Sequence, residues 1–275
     1  MQPDLFSRPF DYAIVDGVGR AQQRGIAPKL DGRIFRAQAA GPTVELANLE
    51  TGTDLKSLVA QAWFDDGSLK PLLAALATKP CQWLAKEGRQ GLVTAAGLER
   101  EDTLASFKID AHKAALAGGF SKSAPLLIAA LGELIGNVVD HSEALASGIA
   151  LFAVEAGRFE FVVADTGIGA LRSLTQSSEH ISLRDEGAAL QAMVETGVSR
   201  FGRNTGHGYG FRPIFEKLAD MTGQLRFRSG DYALTLDGRF GDRIARQVAQ
   251  KPRLRGFLAA VTCCAPANRH ARGAS

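Results

Sequence analysis

The sequence has few cysteines and no marked excess of charge of either sign. Cys81, Cys263 and Cys264 are the only cysteines in 275 residues, and three thiols cannot form a disulfide framework. Cys263 and Cys264 lie in an apolar run, so we interpret them as buried thiols rather than metal ligands. The formal net charge is only +3, and the basic stretch 239–255 is interpreted as solvated surface. We therefore expect no nucleic acid as a partner.

The sequence also lacks a long uninterrupted apolar run and a secretory signal. The longest apolar run, 124–139, contains Glu133 and Asn137 and is shorter than a bilayer-spanning helix requires. The first residues do not contain a basic segment followed by an apolar core. The sequence thus predicts no membrane association and a cytoplasmic location. Hydrophobic residues at 45% and charged residues at 22% are typical of a globular protein with a substantial core.

The first hundred residues predict a small α/β region that carries no recognisable motif. Turn signals such as Gly41-Pro42 and Lys79-Pro80 separate short elements. The predicted strands are 12–15, 33–37 and 44–49, and the predicted helices are 55–63 and 69–76. The role of residues 1–100 is not indicated by their sequence.

Residues 101–265 predict a single α/β domain, followed by a flexible tail over 266–275. The predicted helices are 103–117, 123–142, 185–196 and 211–222, and the predicted strands are 148–155, 159–165, 224–229, 231–237 and 256–264. Most strand connections are too short for parallel crossovers. The expected architecture is therefore a two-layer α/β sandwich, with a mixed, largely antiparallel sheet and helices on one face.

The predicted helix 123–142 carries a polar stripe opposite its apolar face. Glu133, Asn137, Asp140 and His141 share this side of the helical wheel. A carboxylate can act as a general base, and an amide oxygen is a suitable Mg²⁺ ligand. Gly132 and Gly136 beside the stripe each destabilise a helix by about 1 kcal/mol relative to Ala, which suggests close approach by another group. Simple solvent exposure of the stripe is the alternative.

Two glycine-containing segments follow. The first is Asp165-Thr-Gly167-Ile-Gly169 at the end of a predicted buried strand, where the Asp can accept a hydrogen bond from an exocyclic amine. An ordinary Asx turn is the alternative. The second runs from Gly206 through His207, Gly208 and Tyr209 to Gly210 and opens a predicted helix. Free N–H groups there suit phosphates, although a flexible loop is the alternative.

The order and spacing of these three segments resemble those of the GHKL (Bergerat-fold) ATPase superfamily. That superfamily includes gyrase-type topoisomerases, heat-shock chaperones, histidine kinases, mismatch-repair clamps and anti-sigma-factor serine kinases. The resemblance covers roughly residues 101–265. It implies a Bergerat fold and the cofactors ATP and Mg²⁺. It also implies a homodimer, because members of the superfamily commonly dimerise.

The resemblance also implies roles for particular residues. Glu133 would be the general base and Asn137 the Mg²⁺ ligand. Asp165 would bind the adenine amine, and residues 170–205 would form a mobile ATP lid. The remaining implied positions comprise the adenine wall (Gly167 and Gly169), the phosphate loop (Gly206, Gly208 and Gly210) and a threonine that supports adenine, for which Thr235 is the candidate.

One position departs from the superfamily pattern. Histidine kinases often have a basic residue three positions after the Asn, whereas this chain has Asp140. His141 becomes the candidate for a phosphate contact, with a structural role as the alternative. His207 in the glycine run either contacts phosphate or faces solvent.

The resemblance leaves the reaction open between two hypotheses. No histidine phosphoacceptor motif precedes the nucleotide-binding segments, since His112 lacks the acidic neighbour and the downstream proline. The first hypothesis is a stand-alone ATPase or protein kinase of the anti-sigma type that acts on a separate protein partner in signalling. The second is a nucleotide-gated interaction protein with negligible catalysis. A chaperone-like or topoisomerase-like clamp is disfavoured, because little chain follows the predicted pocket.

Overall fold

The computed structural model describes residues 7–155, 157–196, 221–238 and 245–265, and every structural statement below refers to these residues. They form an α/β structure with one three-stranded parallel sheet and one six-stranded antiparallel sheet. The strands are β1 Ser7–Phe10, β2 Ile34–Ala37, β3 Phe64–Asp65, β4 Gln82–Leu84, β5 Gln90–Thr94, β6 Ile149–Glu155, β7 Arg158–Asp165, β8 Gln224–Asp237 and β9 Ala245–Cys264. The helices are α1 Tyr12–Gln23, α2 Ala40–Asn48, α3 Leu55–Val59, α4 Lys70–Thr78, α5 Ala95–Leu98, α6 Glu101–Ala117, α7 Ala124–His141, α8 Gly169–Thr175 and α9 Glu186–Thr196.

The large sheet has the strand order β4-β5-β6-β7-β9-β8, and each neighbouring pair is antiparallel. The expected mixed sheet is therefore wrong in detail, because the parallel pairing is confined to β1, β2 and β3. Strands β4 and β5 were not predicted. They place residues 82–94 in the same sheet as β6–β9, so the large sheet begins before residue 101.

Both faces of the large sheet are covered, which corrects the expectation of helices on one face. Successive side chains of β7 point to opposite faces of the sheet, so this strand contributes to a core on each face. Phe159, Phe161 and Val163 belong to a core that includes residues of α6, α7, α8 and α9. Val162 and Ala164 belong to a second core, which includes residues of α1, α2 and α4. A strand buried on both faces reads as a nearly continuous apolar run, so the sequence of β7 does not reveal the second layer.

Two helices occupy positions that the sequence analysis assigned to strands. In α1, predicted as a strand over 12–15, Asp11 Oδ1 accepts hydrogen bonds from the N–H groups of Ala13 at 3.0 Å and Ile14 at 3.1 Å. This is a helix N-cap, which outweighs the strand preference of the first apolar residues. In α2, predicted as a strand over 44–49, Glu160 of β7 accepts from Ala40 N–H at 2.6 Å. That contact spans 120 residues and has no local sequence signal.

Strand β8 also differs from the prediction. Its two halves, 224–229 and 231–237, were predicted as separate strands that meet at Gly230-Asp231. Instead both halves pair with β9, and the register shifts at Gly230, which marks a β-bulge. The strand predicted over 256–264 is correspondingly longer, because β9 starts at Ala245.

A buried cluster of charged residues joins α1 and α2 to β8. The Arg226 guanidinium donates to Glu45 at 2.7 and 2.8 Å and to Asp16 at 2.9 Å. Arg228 also donates to Glu45, and Lys251 pairs with Asp16. The side chains of Glu45 and Arg228 are 0% exposed. Buried charges need such pairing, so the cluster fixes the N-terminal helices against the sheet.

Among the described helices, α7 alone is long and apolar enough to cross a membrane by length and composition. The expectation that this run is too short for a membrane span therefore does not hold as stated. Core helices pass the same test, and Leu127, Leu131, Leu134 and Val138 of α7 are buried in the core against the sheet.

Candidate functional site

The candidate site lies where the C-terminal end of β7 meets α7. Asp165 is the last residue of β7, and the alternation of that strand points it to the same side as Val163, toward α7. Its side chain is buried, and Oδ1 accepts a hydrogen bond from Gly167 N–H at 2.7 Å. The predicted position of this acid at a strand end is confirmed, and the Asx turn given as the alternative for this segment is present as well.

Burial raises the pKa of Asp165 from 3.8 to about 6. The N–H groups of Gly167 and Phe257 donate to the carboxylate and oppose this rise, but they do not cancel it. A buried carboxylate of this kind can accept a hydrogen bond from a further donor, because the new bond replaces part of the solvation lost on burial.

The loop after Asp165 is fixed by backbone contacts on both sides. Thr166 N–H donates to Ser147 Oγ at 2.9 Å, and Ile168 N–H donates to the Ser142 carbonyl at 3.0 Å. At Gly167 a Cβ would lie 1.9 Å from the Ser142 carbonyl oxygen. Only glycine fits this close approach, so the first glycine of the motif is required by packing between the loop and the end of α7.

Helix α8 starts directly after this loop, and its first free N–H groups are satisfied by side chains from distant elements. Ala170 N–H donates to Ser229 Oγ of β8 at 2.8 Å, and Leu171 N–H donates to Glu186 Oε2 of α9 at 3.0 Å. Helix α9 was predicted over 185–196, and its position is confirmed. The bond to Glu186 joins α8 to α9 within the segment predicted to form the lid, and the bond to Ser229 joins that segment to β8.

A cavity of about 60 Å³ opens between α7, α8, α9 and the paired ends of β7 and β9. This volume corresponds to about four water molecules. Three of its lining residues were predicted as binding residues on α7 or β7, namely Asn137, His141 and Asp165. Gly169 is a fourth. The cavity is also lined by Val138, Ser142, Ala170, Ser173, Leu174, Met193 and Phe257.

Only some of the polar residues of helix α7 line the cavity. Asn137 and His141 line it, whereas Glu133, one turn earlier and about 6 Å away along the axis, does not. Asp140 is exposed and does not line the cavity. At Gly136 a Cβ would meet no described atom within 4 Å. The close approach predicted for this glycine is thus not made by any described residue.

Several predicted site residues are not brought to the cavity or fall outside the described ranges. Gly206, His207, Gly208, Gly210 and the tail 266–275 lie outside them, as do most of the predicted helix 211–222 and the last part of the predicted lid. Thr235 is described, and it does not line the cavity. It pairs with Gln247, six residues along β8 from Ser229, or about 20 Å at strand spacing. The cause is the continuous β8, which does not fold back at Gly230.

Two residues that the sequence analysis missed occupy the place where Thr235 was expected. Phe257 pairs with Asp165 across β7 and β9, and its side chain lines the cavity. Ser229 is opposite Phe257 on the other side, where β8 pairs with β9. The nearly continuous apolar run after Gly256 indicates a buried strand, but only its register with β7 reveals that Phe257 lies beside Asp165.

No group of three or more His, Cys, Asp or Glu side chains within the described ranges could hold a metal ion. Asn137, which was predicted as the metal ligand, does line the cavity. Such a donor set does not suit a dedicated protein cage. It suits Mg²⁺ that arrives with phosphate oxygens and keeps several waters, because Mg²⁺ then needs only one or two protein ligands.

Comparison with protein-family models, with curated proteins and with solved structures found no match to this chain.

Proposed function

We propose that this chain binds ATP with Mg²⁺ at the cavity between α7 and the end of β7, as a GHKL-type module. The observation that carries the proposal is the convergence of Asp165 from β7 with Asn137 and His141 from α7 on one cavity. These residues come from two sequence motifs that were identified separately. In the same proposal, α6–α9 and the large sheet form a Bergerat fold.

The residues present fit the proposed ligand. Asp165 is a buried acceptor for an exocyclic amine, and Phe257 and Leu174 provide apolar surface for a flat ring. Asn137 offers an amide oxygen to the cation, and His141 a nitrogen to phosphate. A cavity of about 60 Å³ is smaller than a nucleotide, so we infer that Met193 of α9 moves outward when the ligand binds.

The proposed activity is ATP hydrolysis or phosphoryl transfer to a protein partner in signalling, in the cytoplasm. Bound ATP would supply the phosphoryl group. Glu133 is half-buried on α7, one turn before Asn137, and its carboxylate would accept the proton of the attacking water or hydroxyl group.

A second candidate function is a nucleotide-gated interaction switch with negligible catalysis. The observation in its favour is that Glu133 does not line the cavity, whereas Asn137 and His141 do. Binding would then bias the arrangement of α8 and α9 around the loop without a chemical step.

Calorimetry with ATP in the presence and absence of Mg²⁺ tests the proposal. We expect micromolar affinity, and we expect Asn137→Ala to weaken binding about tenfold or more, mainly when Mg²⁺ is present. Asp140→Asn is the matched control, since Asp140 is exposed on the same helix and does not line the cavity. Absence of saturable ATP binding to the unmodified chain would refute the proposal.

The variant Glu133→Gln separates the two candidate functions. If the chain is an ATPase or kinase, this variant should bind ATP normally while hydrolysis or transfer falls by at least about a hundredfold. If the unmodified chain binds ATP without any turnover, and Glu133→Gln binds it equally well, the interaction switch is favoured.

A further inference from the structure

A second, larger cavity lies on the other side of the loop that follows β7. It has a volume of about 320 Å³ and opens between α2, α3, α4 and the ends of β6 and β7. This is the lower end of the size range of small-molecule sites. Its floor includes the buried apolar residues Val44, Leu76 and Ile149. No part of the predicted nucleotide motifs other than Asp165 and Thr166 contributes to it.

Positive charge is available at the rim of this cavity. Lys56 and Lys79 line it, and both side chains are exposed. Within the described part of the chain, neither ammonium group has a hydrogen-bond or ion-pair partner. Ammonium groups without an ion-pair partner next to an apolar floor can bind an anion that has an apolar body.

Two acidic residues, Asp54 and Asp165, line the same cavity, and neither forms an ion pair with these lysines. Asp54 caps α3, and its carboxylate accepts from Ser57 N–H at 3.1 Å and from Ser57 Oγ at 2.6 Å. The Asp165 carboxylate accepts from Gly167 N–H. Both acids are therefore held by hydrogen bonds close to them in the chain, whereas Lys56 and Lys79 form no ion pair with a described residue.

The backbone of Lys79 gives a second, independent reason to expect a ligand here. Lys79 ends α4 in the left-handed conformation, with φ 49° and ψ 56°. This helix-terminating position normally favours glycine, and a residue with a Cβ costs roughly 1 kcal/mol there. The helix end does not need a lysine. The strained conformation instead places an ammonium-bearing side chain at the cavity rim, as expected of a functional residue.

We propose that this cavity binds a small organic anion, with its apolar body on Val44, Leu76 and Ile149 and its carboxylate or phosphate group between Lys56 and Lys79. The occupant is thus a small molecule of the metabolite size class. Asn48, which is half-buried in the same wall, provides an amide for an additional polar group.

The position of the cavity gives this anion a regulatory role, which rests on the proposed nucleotide function. Asp165 lines both cavities, and the next residue, Thr166, lines only the second of the two. Ser147 also lines the second cavity, and its Oγ accepts from Thr166 N–H. An anion that contacts Ser147 and Thr166 would therefore alter the loop that holds Asp165. Coupling of this kind is reciprocal, so ATP would change anion affinity by the same factor.

The binding experiment uses the full chain without nucleotide and four probes. Benzoate and phenyl phosphate test the two possible head groups, benzamidine has a similar shape but positive charge, and inorganic phosphate lacks the apolar body. We expect saturable binding of benzoate or phenyl phosphate by calorimetry or ligand-observed NMR, with benzamidine and inorganic phosphate at least about tenfold weaker. The tighter of the two organic anions identifies the head group.

The variant Lys79→Gly removes the ammonium group and at the same time suits the left-handed backbone. We expect anion affinity to fall about tenfold while the chain becomes as stable or more stable, so that loss of binding cannot be attributed to unfolding. Lys56→Gln should weaken binding similarly. Lys70→Gln is the control, because Lys70 is at the opposite end of the same helix and does not line the cavity.

The possible outcomes separate this inference from the proposed function. Equal affinity for benzoate and benzamidine, no saturable binding of either organic anion, or an unchanged affinity in Lys79→Gly would overturn the anion site. If the anion binds but leaves ATP affinity unchanged, the regulatory role is wrong and the site stands. If the anion binds and ATP does not, the proposed nucleotide function fails while the anion site is supported.

Discussion

The substitution Asp165→Asn should make the protein more stable and its ATP binding weaker. Asp165 is 4% exposed, and burial raises its pKa from 3.8 to about 6. The folded state thus favours the protonated acid. Its contribution to stability is fully present below about pH 4 and is lost as the pH rises through about 6. Asparagine is isosteric, has no charge to bury, and can still accept the hydrogen bond from Gly167 N–H.

The size of the effect follows from the pKa shift. A rise of about two pH units at about 1.4 kcal/mol per unit corresponds to about 3 kcal/mol. Relative to Asp165→Asn, the unmodified protein should therefore lose about 3 kcal/mol of unfolding free energy between about pH 4 and pH 8. Chemical denaturation of both proteins across this range, with linear extrapolation, measures the difference.

ATP affinity should change in the opposite direction. The ionised carboxylate is the better acceptor for an amine, so Asp165→Asn should weaken binding by about 2 kcal/mol, or about thirtyfold, at pH 8. Binding to the unmodified protein should also weaken as the pH falls through about 6. Two results would refute the reasoning. One is a stability difference that does not vary with pH, and the other is equal ATP affinity of the two proteins at pH 8.

Four further predictions concern packing around the site and the buried charges. Gly167→Ala should destabilise the chain by about 3 kcal/mol or more in chemical denaturation, since its Cβ would lie 1.9 Å from the Ser142 carbonyl oxygen. Gly136→Ala, where no described atom lies within 4 Å, should stabilise α7 by up to about 1 kcal/mol, and weaker ATP binding in that variant would show that the ligand approaches Gly136. Glu186→Gln should cost about 1 kcal/mol through the weaker cap on Leu171 N–H, whereas Glu179→Gln, at an exposed position, should not change the melting temperature. Arg226→Ala should lower the free energy of unfolding by about 3–5 kcal/mol, because Glu45 and Asp16 lose a buried partner. Arg253→Ala breaks an exposed pair with Glu50 and should change stability by less than about 1 kcal/mol. Equal losses of stability in the two variants would contradict the role of burial.

The sequence predicted the core elements of the site better than its surroundings. Periodicity and glycine positions located α6, α7, β6, β7 and α9, because each of these elements has a strong local pattern. The assignment of α1 and α2 to strands failed because side chains fix their N-termini, and the cap on α2 comes from Glu160, 120 residues away. Strand β5 was missed as well. Its Gly91 weakens the strand signal but leaves room for the Phe152 ring.

The residues of the cavity show the same difference between local sequence patterns and contacts made by distant parts of the chain. Asn137 and Asp165 were predicted because each has a local motif. Phe257 and Ser229 became part of the site through strand register, which local sequence does not specify. The position of Thr235 depends on register in the same way, since β8 continues past Gly230 and shifts its pairing with β9 by two residues on each side of Gly230.

The buried ion cluster has a consequence for how this chain acquires its structure during synthesis. Glu45 and its partners Arg226 and Arg228 are separated by 181 and 183 residues. Until the C-terminal strands leave the ribosome, helices α1 and α2 have neither the sheet that covers their apolar side nor the cations that neutralise their acids. Such long-range closure slows folding. The N-terminal helices should therefore complete their folding last, although they are translated first.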